Sequence, residues 1–175
     1  MLSVYHKYII SSICFSTVSI KPVEIKSTGF CLHSELKSTT ISGMTYTIKI
    51  GKRINTKDID EIHSLLKWGN YRPEQWPIVK KQSTFMVSAL DERKTVGFAR
   101  CVDDSEMCMI YDVVVHPNYH GQGIGTILMK EIIKYVKSQN FATVSLFYDP
   151  KKPCLPKFYK KFGFQQIPNA MRLKK

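Results

Sequence analysis

Acidic residues are scarce in this chain: 14 Asp and Glu stand against 26 Lys and Arg in 175 residues, a formal charge of +12. Such an excess favours an anionic ligand, a nucleic acid or an anionic surface. Also missing is any basic run interleaved with aromatics, the pattern of a single-strand nucleic-acid groove. The Lys-Lys pairs at 80–81, 151–152, 160–161 and 174–175 are scattered, as charge spread for solubility would be, and no nucleic-acid partner is expected. Cysteines are few and lack pattern. Cys14, Cys31, Cys101, Cys108 and Cys154 are odd in number and form no C-x-x-C, which indicates neither a disulfide framework nor a zinc site. Free thiols in a reducing compartment, and no metal, are expected. Long apolar runs are absent too. Ile9 to Ile20 is broken by Ser11, Ser12, Ser16, Thr17 and Ser19 and is too short and polar to span a membrane. No internal repeat is visible.

What is present divides into two parts. Residues 1–43 hold four lysines, two glutamates, no arginine and many Ser and Thr. They read as a poorly ordered N-terminal extension, either a targeting segment or a gene-model extension ahead of a true start at Met44. The expected location is the cytoplasm, or a plastid or other organelle if this segment is a transit peptide. Residues 44–175 read as one domain with room for one core.

Within that domain the periods are legible. Thr45 to Ile50 alternates as a strand. Asn55 caps a helix, with Asp58 three residues on, an inner stripe of Ile59, Ile62, Leu65 and Leu66, and an end at Gly69. A short helix follows Pro73. Phe85–Leu90, Thr95–Val102 and Met107–Val115 are strands joined by tight polar turns, an antiparallel meander. Ile124, Ile127, Leu128, Ile132 and Val136 line one side of a helix. Thr143–Tyr148 is a strand, Leu155–Phe162 a short helix stopped by Gly163, and Phe164–Arg172 closes the sheet. Strand, helix and strand over 107–148 make a right-handed βαβ unit. The fold class is α+β, a mostly antiparallel sheet with one parallel unit.

The most informative stretch is His120-Gly121-Gln122-Gly123-Ile124-Gly125, between the apolar run ending at Val115 and an amphipathic segment. Its glycines let the backbone approach a ligand closely. The helix that follows offers unpaired N–H groups and the positive end of a dipole, so the place suits a phosphate. A Walker loop needs a Lys-Ser/Thr pair after its last glycine, and Thr126 has no such lysine before it. A dinucleotide fingerprint opens its domain and spaces its glycines differently from 121, 123 and 125. Neither fits.

The stretch resembles the acetyl-CoA loop of the GNAT acyltransferases: Gln or Arg, two residues, Gly, any residue, Gly or Ala. Val113-Val114-Val115-His116-Pro117 leads into it, and His120 stands at the Gln/Arg position. Leu128-Met129 occupies the usual apolar places of the following helix. Phe158-Tyr159-Lys160-Lys161-Phe162-Gly163-Phe164 looks like the closing Phe-Tyr-x-x-x-Gly-Phe signature. Val96-Gly97-Phe98-Ala99-Arg100 and Tyr111 to Val115 are similar to a subset of small-molecule acetyltransferases that includes plastid arylalkylamine-type enzymes. The resemblance covers 44–175. It implies a three-layer fold with strands splayed at an acetyl-CoA site. Pantetheine would run along Val113, Val114 and Val115. The pyrophosphate would sit on the loop of His120, Gly121, Gln122, Gly123, Ile124, Gly125 and Thr126. One departure is Asp149-Pro150-Lys151-Lys152-Pro153-Cys154, which replaces the Asn often found before the final helix.

Acetyl transfer to an amine needs the thioester held, its carbonyl polarised, the amine deprotonated and the thiolate protonated. Main-chain N–H groups of the Val113–Val115 strand suit the polarising role. Tyr159, whose phenol ordinarily titrates at about 10, suits protonation of the thiolate; beside Phe158 it is alternatively a packed ring. Strand alternation puts Asp112 on one face with Ile110 and Val114. An acid in an apolar row is either a desolvated proton acceptor or a structural acid bonded to backbone or arginine. His116 and His120 are near enough in sequence to act through water, or are simply loop histidines. Trp68, Tyr71, Arg72 and Trp76 offer aromatic walls for an acceptor, or core packing. Lys130 either helps hold phosphate or is a solvated helix lysine. Cys154 has no adjacent His to support a nucleophilic role.

The expectation is an acetyl-CoA-dependent N-acetyltransferase acting on a small-molecule primary amine by direct attack in a ternary complex, with a homodimer left open. The rivals are acetylation of a protein lysine or N-terminus, a non-catalytic CoA-binding module, and a basic nucleic-acid binder.

Overall fold

The computed structural model describes residues 35–41, 43–69 and 72–167. Among them the chain forms strands β1 (Glu35–Ile41) and β2 (Met44–Ile50), helices α1 (Thr56–Leu65) and α2 (Gln75–Gln82), and strands β3 (Phe85–Asp91), β4 (Lys94–Asp103) and β5 (Met107–Val115). A 3-10 turn (Pro117–Tyr119), helix α3 (Ile124–Ser138), strand β6 (Thr143–Leu146) and helix α4 (Cys154–Lys160) follow. The strands lie in sequence order in one sheet. Every neighbouring pair is antiparallel except β5 with β6, which is parallel. Short polar turns dictate this order. At one, Glu92 takes a φ of 50°. At another, the Asp104 carboxylate accepts from the N–H groups of Glu106 and Met107.

Helices cover both faces, giving the expected α+β layers. On one face, Ile124, Leu128, Met129 and Ile132 of α3 pack against Ile48, Val87, Ala99 and Ile110. On the other, Ile59 and Ile62 of α1 and Trp76 of α2 pack against Met86, Phe98 and Val114. Ile59 and Ile62 are fully buried, each stabilising the fold by about 2 kcal/mol. Gly97 of β4 lets α3 approach: a Cβ there would lie 2.7 Å from Ile124 Cγ2.

Several expectations need correction. The sheet begins inside the 1–43 segment, because Glu35–Ile41 pairs with Met44–Ile50 along its whole length. The stripe on α1 is narrower than predicted: Leu65 is half exposed. Asn55 caps α1, its side chain accepting from Lys57 N–H, but Asp58 accepts from Thr95 N–H at 2.7 Å and so docks the helix on β4. The helix ends before Gly69. Lys67, at φ 58°, takes the left-handed position, Lys67 N–H donates to Ser64 O and Trp68 N–H to His63 O, the Schellman pattern that glycine usually serves. Phe164–Ile167 forms no strand, and the rest of the predicted closing strand lies outside the described residues.

The correction with most consequence lies in β5. Arg100 pairs with Tyr111 and Phe98 with Val114, so Asp112 and Val113 together face Ala99. This is a β-bulge, and Asp112 adopts a φ of 54°. The bulge inverts the alternation. Ile110 faces the α3 core while Val114 faces the α1 core. The row that was to contain Ile110, Asp112 and Val114 therefore does not exist.

Candidate active site

Two features meet where β5 ends. The first is an open strand edge. β5 pairs with β6 only from Met107–Thr143 to Ile110–Leu146. Beyond Ile110, the Tyr111–Val115 edge has no β6 partner among the described residues, since β6 itself ends at Leu146. The second is the glycine loop. His116 ends the strand, its N–H still donating to Val96 O at 2.8 Å. Its ring accepts from Asn118 N–H and so caps the 3-10 turn. Gly121 and Gly123 then take φ of 77° and 84°, values an L side chain rarely tolerates.

α3 starts immediately after Gly123. Helix geometry leaves its first N–H groups without intrahelical acceptors. The hydrogen-bonded turn closes with Ile127 N–H on Gly123 O at 3.1 Å. The start of α3 thus carries free N–H donors and the positive end of a helix dipole. His120 does not extend the anion site with its ring, since Nε2 lies 2.8 Å from Val115 O and ties the loop to the strand end. Gln122 is also engaged, donating to Asn118 O and accepting from Tyr46.

Tyr159 lies near this mouth. A Cβ on Gly125 would touch Phe158 at 3.5 Å, so the start of α3 and α4 are in contact. Tyr159 packs edge-on to Phe158 and Phe164. It lines a cleft of about 440 Å³ together with Met109, Leu146, Tyr148 and Phe164. Burial pushes its phenol up to about 12, so the proton stays on the oxygen through neutral pH.

On the α1 face the bulge brings together residues from distant segments. Arg100 Nε donates to Asp112 Oδ2 at 2.5 Å, with both side chains nearly buried. Its guanidinium also reaches Ser83 Oγ at 3.3 Å and lies over the Tyr111 ring at 4.8 Å. His63 is buried. Burial holds its imidazole below the usual value, helped by Arg100 and opposed by the Asp112 and Asp60 carboxylates. Trp68 stacks on His63 at 6.0 Å and is 47% exposed. Asp112 is thus ion-paired to Arg100.

Of the other predicted residues, Val113 and Val115 pack partly against the α3 core and Val114 is buried under α1. Trp76 is core, its indole N–H donating to the Asp60 carboxylate. Tyr71 lies outside the described residues. Arg72 pairs with Glu74 on the surface, and Cys154 is exposed. Sequence reasoning passed over His63, Arg100 and Tyr111. The available signal was Arg100 itself: a lone cation in an apolar strand needs an anion, and Asp112 was the lone acid in the next.

The model of the acetyltransferase (GNAT) family matches residues 55–164. A protein of Pyropia yezoensis described as "Uncharacterized N-acetyltransferase ycf52" is 29% identical over 126 residues, 69% of this chain and 71% of that protein. "GCN5-related N-acetyltransferase 2, chloroplastic" of Arabidopsis thaliana is 32% identical over 82 residues, 46% of this chain and 31% of its own length. Among solved structures, a probable acetyltransferase of meticillin-resistant Staphylococcus aureus superposes with a TM-score of 0.64 at 26% identity, over 73% of this chain and 99% of the other. The open strand edge, the glycine loop and the matched sequence agree: this chain belongs to the GNAT acetyltransferase family and is an N-acetyltransferase.

Proposed function

We propose that the protein transfers the acetyl group of acetyl-CoA to the primary amine of a small molecule, by direct attack in a ternary complex. The observation that carries this reading is the unpaired Tyr111–Val115 edge opening beside the donors of 121–126. Main-chain N–H groups of the loop suit the pyrophosphate. The peptide-like pantetheine suits the strand edge, whose N–H groups suit the oxyanion role. The amine nitrogen bonds to the acetyl carbon, the C–S bond breaks, the amine proton passes to a base, and the thiolate takes the Tyr159 proton. The place of Tyr159 in the cleft lining, packed edge-on to Phe158, supports that last role.

For the acceptor, the aromatic rings of Trp68, stacked on His63, and of Tyr111, against Arg100, favour a small, flat amine. Asp112 as base rests on its position at the bulge. His116, whose ring already caps Asn118 and lies 3.7 Å from Glu61, has less claim.

Two measurements test the reading. Calorimetry with CoA should give a defined heat of association, and well-folded protein without one removes the donor site. Tyr159→Phe should lower kcat by about ten- to a hundredfold with CoA affinity unchanged; equal turnover returns Tyr159 to packing. As to location, a reporter fused to residues 1–43 distinguishes cytoplasm from plastid, and the chloroplastic relative makes the plastid the arm to examine first.

A further inference from the structure

The glycine loop is held from outside its own βα unit. Three successive strands reach it. From β1, Ile41 lies over Gly123, its Cγ2 3.1 Å from where a Cβ would stand. From β2, the buried Tyr46 donates its hydroxyl to Gln122 Oε1, and Gln122 Nε2 donates in turn to Asn118 O at 3.2 Å. From the end of β3, Asp91 accepts from the Tyr119 hydroxyl at 2.8 Å, with Tyr119 packed edge-on to Tyr46. A further link joins the hairpin to α3, where Lys37 of β1 reaches Glu131 at 3.3 Å. The loop's own glycines supply freedom, not rigidity. An anion site made of main-chain donors binds well only if those donors are already aimed.

We propose that the β1–β2 hairpin is a working part of the donor site, with Tyr46 and Ile41 as positioning residues that fix the main-chain donors of the glycine loop through Gln122 and Gly123. This rests on the reading that the loop binds the pyrophosphate of CoA. It gives a role to residues 35–41, which composition alone placed in a dispensable head. Gln122, between two loop glycines, acts by facing the hairpin and so joins the turn at Asn118 to the start of α3.

The test is the affinity for CoA, measured by calorimetry, beside steady-state constants for acetyl-CoA. Tyr46→Phe keeps the buried ring and removes only the hydroxyl. It should weaken CoA binding about five- to tenfold and raise the KM for acetyl-CoA in step, with kcat within about twofold. Gln122→Met should do the same, and the double variant should bind no worse than the weaker single one, because both break one link. Ile41→Ala should weaken binding about threefold. Tyr135→Phe is the control: its hydroxyl bonds Asp103 at 2.8 Å, away from the loop. It loses a similar bond and should leave CoA affinity unchanged. CoA affinity of Tyr46→Phe within twofold of wild type overturns the proposal, as do additive losses in the double variant or an equal loss in Tyr135→Phe. Absence of CoA binding by the wild-type protein overturns the donor site itself, and this proposal with it.

Discussion

The two halves proposed for this site, one for the donor and one for the acceptor, are built from different materials. The donor half is main chain: the edge of β5, two glycines at positive φ and the first N–H groups of α3. It is assembled within residues 111–126. The acceptor half is side chain: His63 and Trp68 from α1 and its cap, Ser83 from after α2, Arg100 from β4, Tyr111 and Asp112 from β5. The difference teaches where each kind of change will act. A backbone site fails when its dihedrals are disturbed, and a side-chain site fails when one charge loses its partner.

The largest effect should come from Gly123→Val. A branched side chain at φ 84° is strained, and its Cβ would crowd Ile41. The KM for acetyl-CoA should rise on the order of a hundredfold while the acceptor KM holds. An unchanged donor KM would erase the distinction between the halves.

Next is Asp112→Asn, which leaves the buried Arg100 guanidinium without its anion. Chemical denaturation should show a loss of about 3 kcal/mol, together with a fall in kcat and no change in CoA affinity. If the acidic limb of the pH–rate profile survives this substitution, Asp112 is purely structural.

Smaller again is Trp68→Ala. The half-exposed ring should alter preference among amines by several-fold without touching CoA affinity; identical preference would return Trp68 to packing on His63. The mildest effect concerns pH. His63 is held below its ordinary 6.5, so the unfolded chain binds its proton more readily than the folded one. The penalty is absent above about pH 6.5 and grows as pH falls below it. Stability should therefore drop as pH falls below about 6.5 in the wild type and drop less in His63→Gln. Equal slopes would show that burial of this imidazole is not costly.

Legibility in the sequence follows the same division. The strands from Thr45 onward, the meander, the βαβ unit and the glycine loop were all predictable, because each is a local pattern of period or turn residue. The cap at Lys67 was not, since a lysine in the left-handed position is set by the bonds of Lys67 and Trp68 to the last turn of α1. Strand β1 was hidden because Ser and Thr on a half-exposed edge look like linker. Its pairing with Met44–Ile50 is visible only in three dimensions.

What the chain's own order determined is the alternation of strand and helix and the glycines that turn the chain between β5 and α3, because these depend on dihedral preference and the spacing of apolar residues. Tertiary structure alone decided that Asp112 turns towards Arg100, that Ile110 and Val114 face opposite layers, and that Tyr46 reaches Gln122. The physical reason is that one extra residue in a strand inverts every side chain beyond it, and a contact across 76 positions exists only once the sheet has brought its ends together.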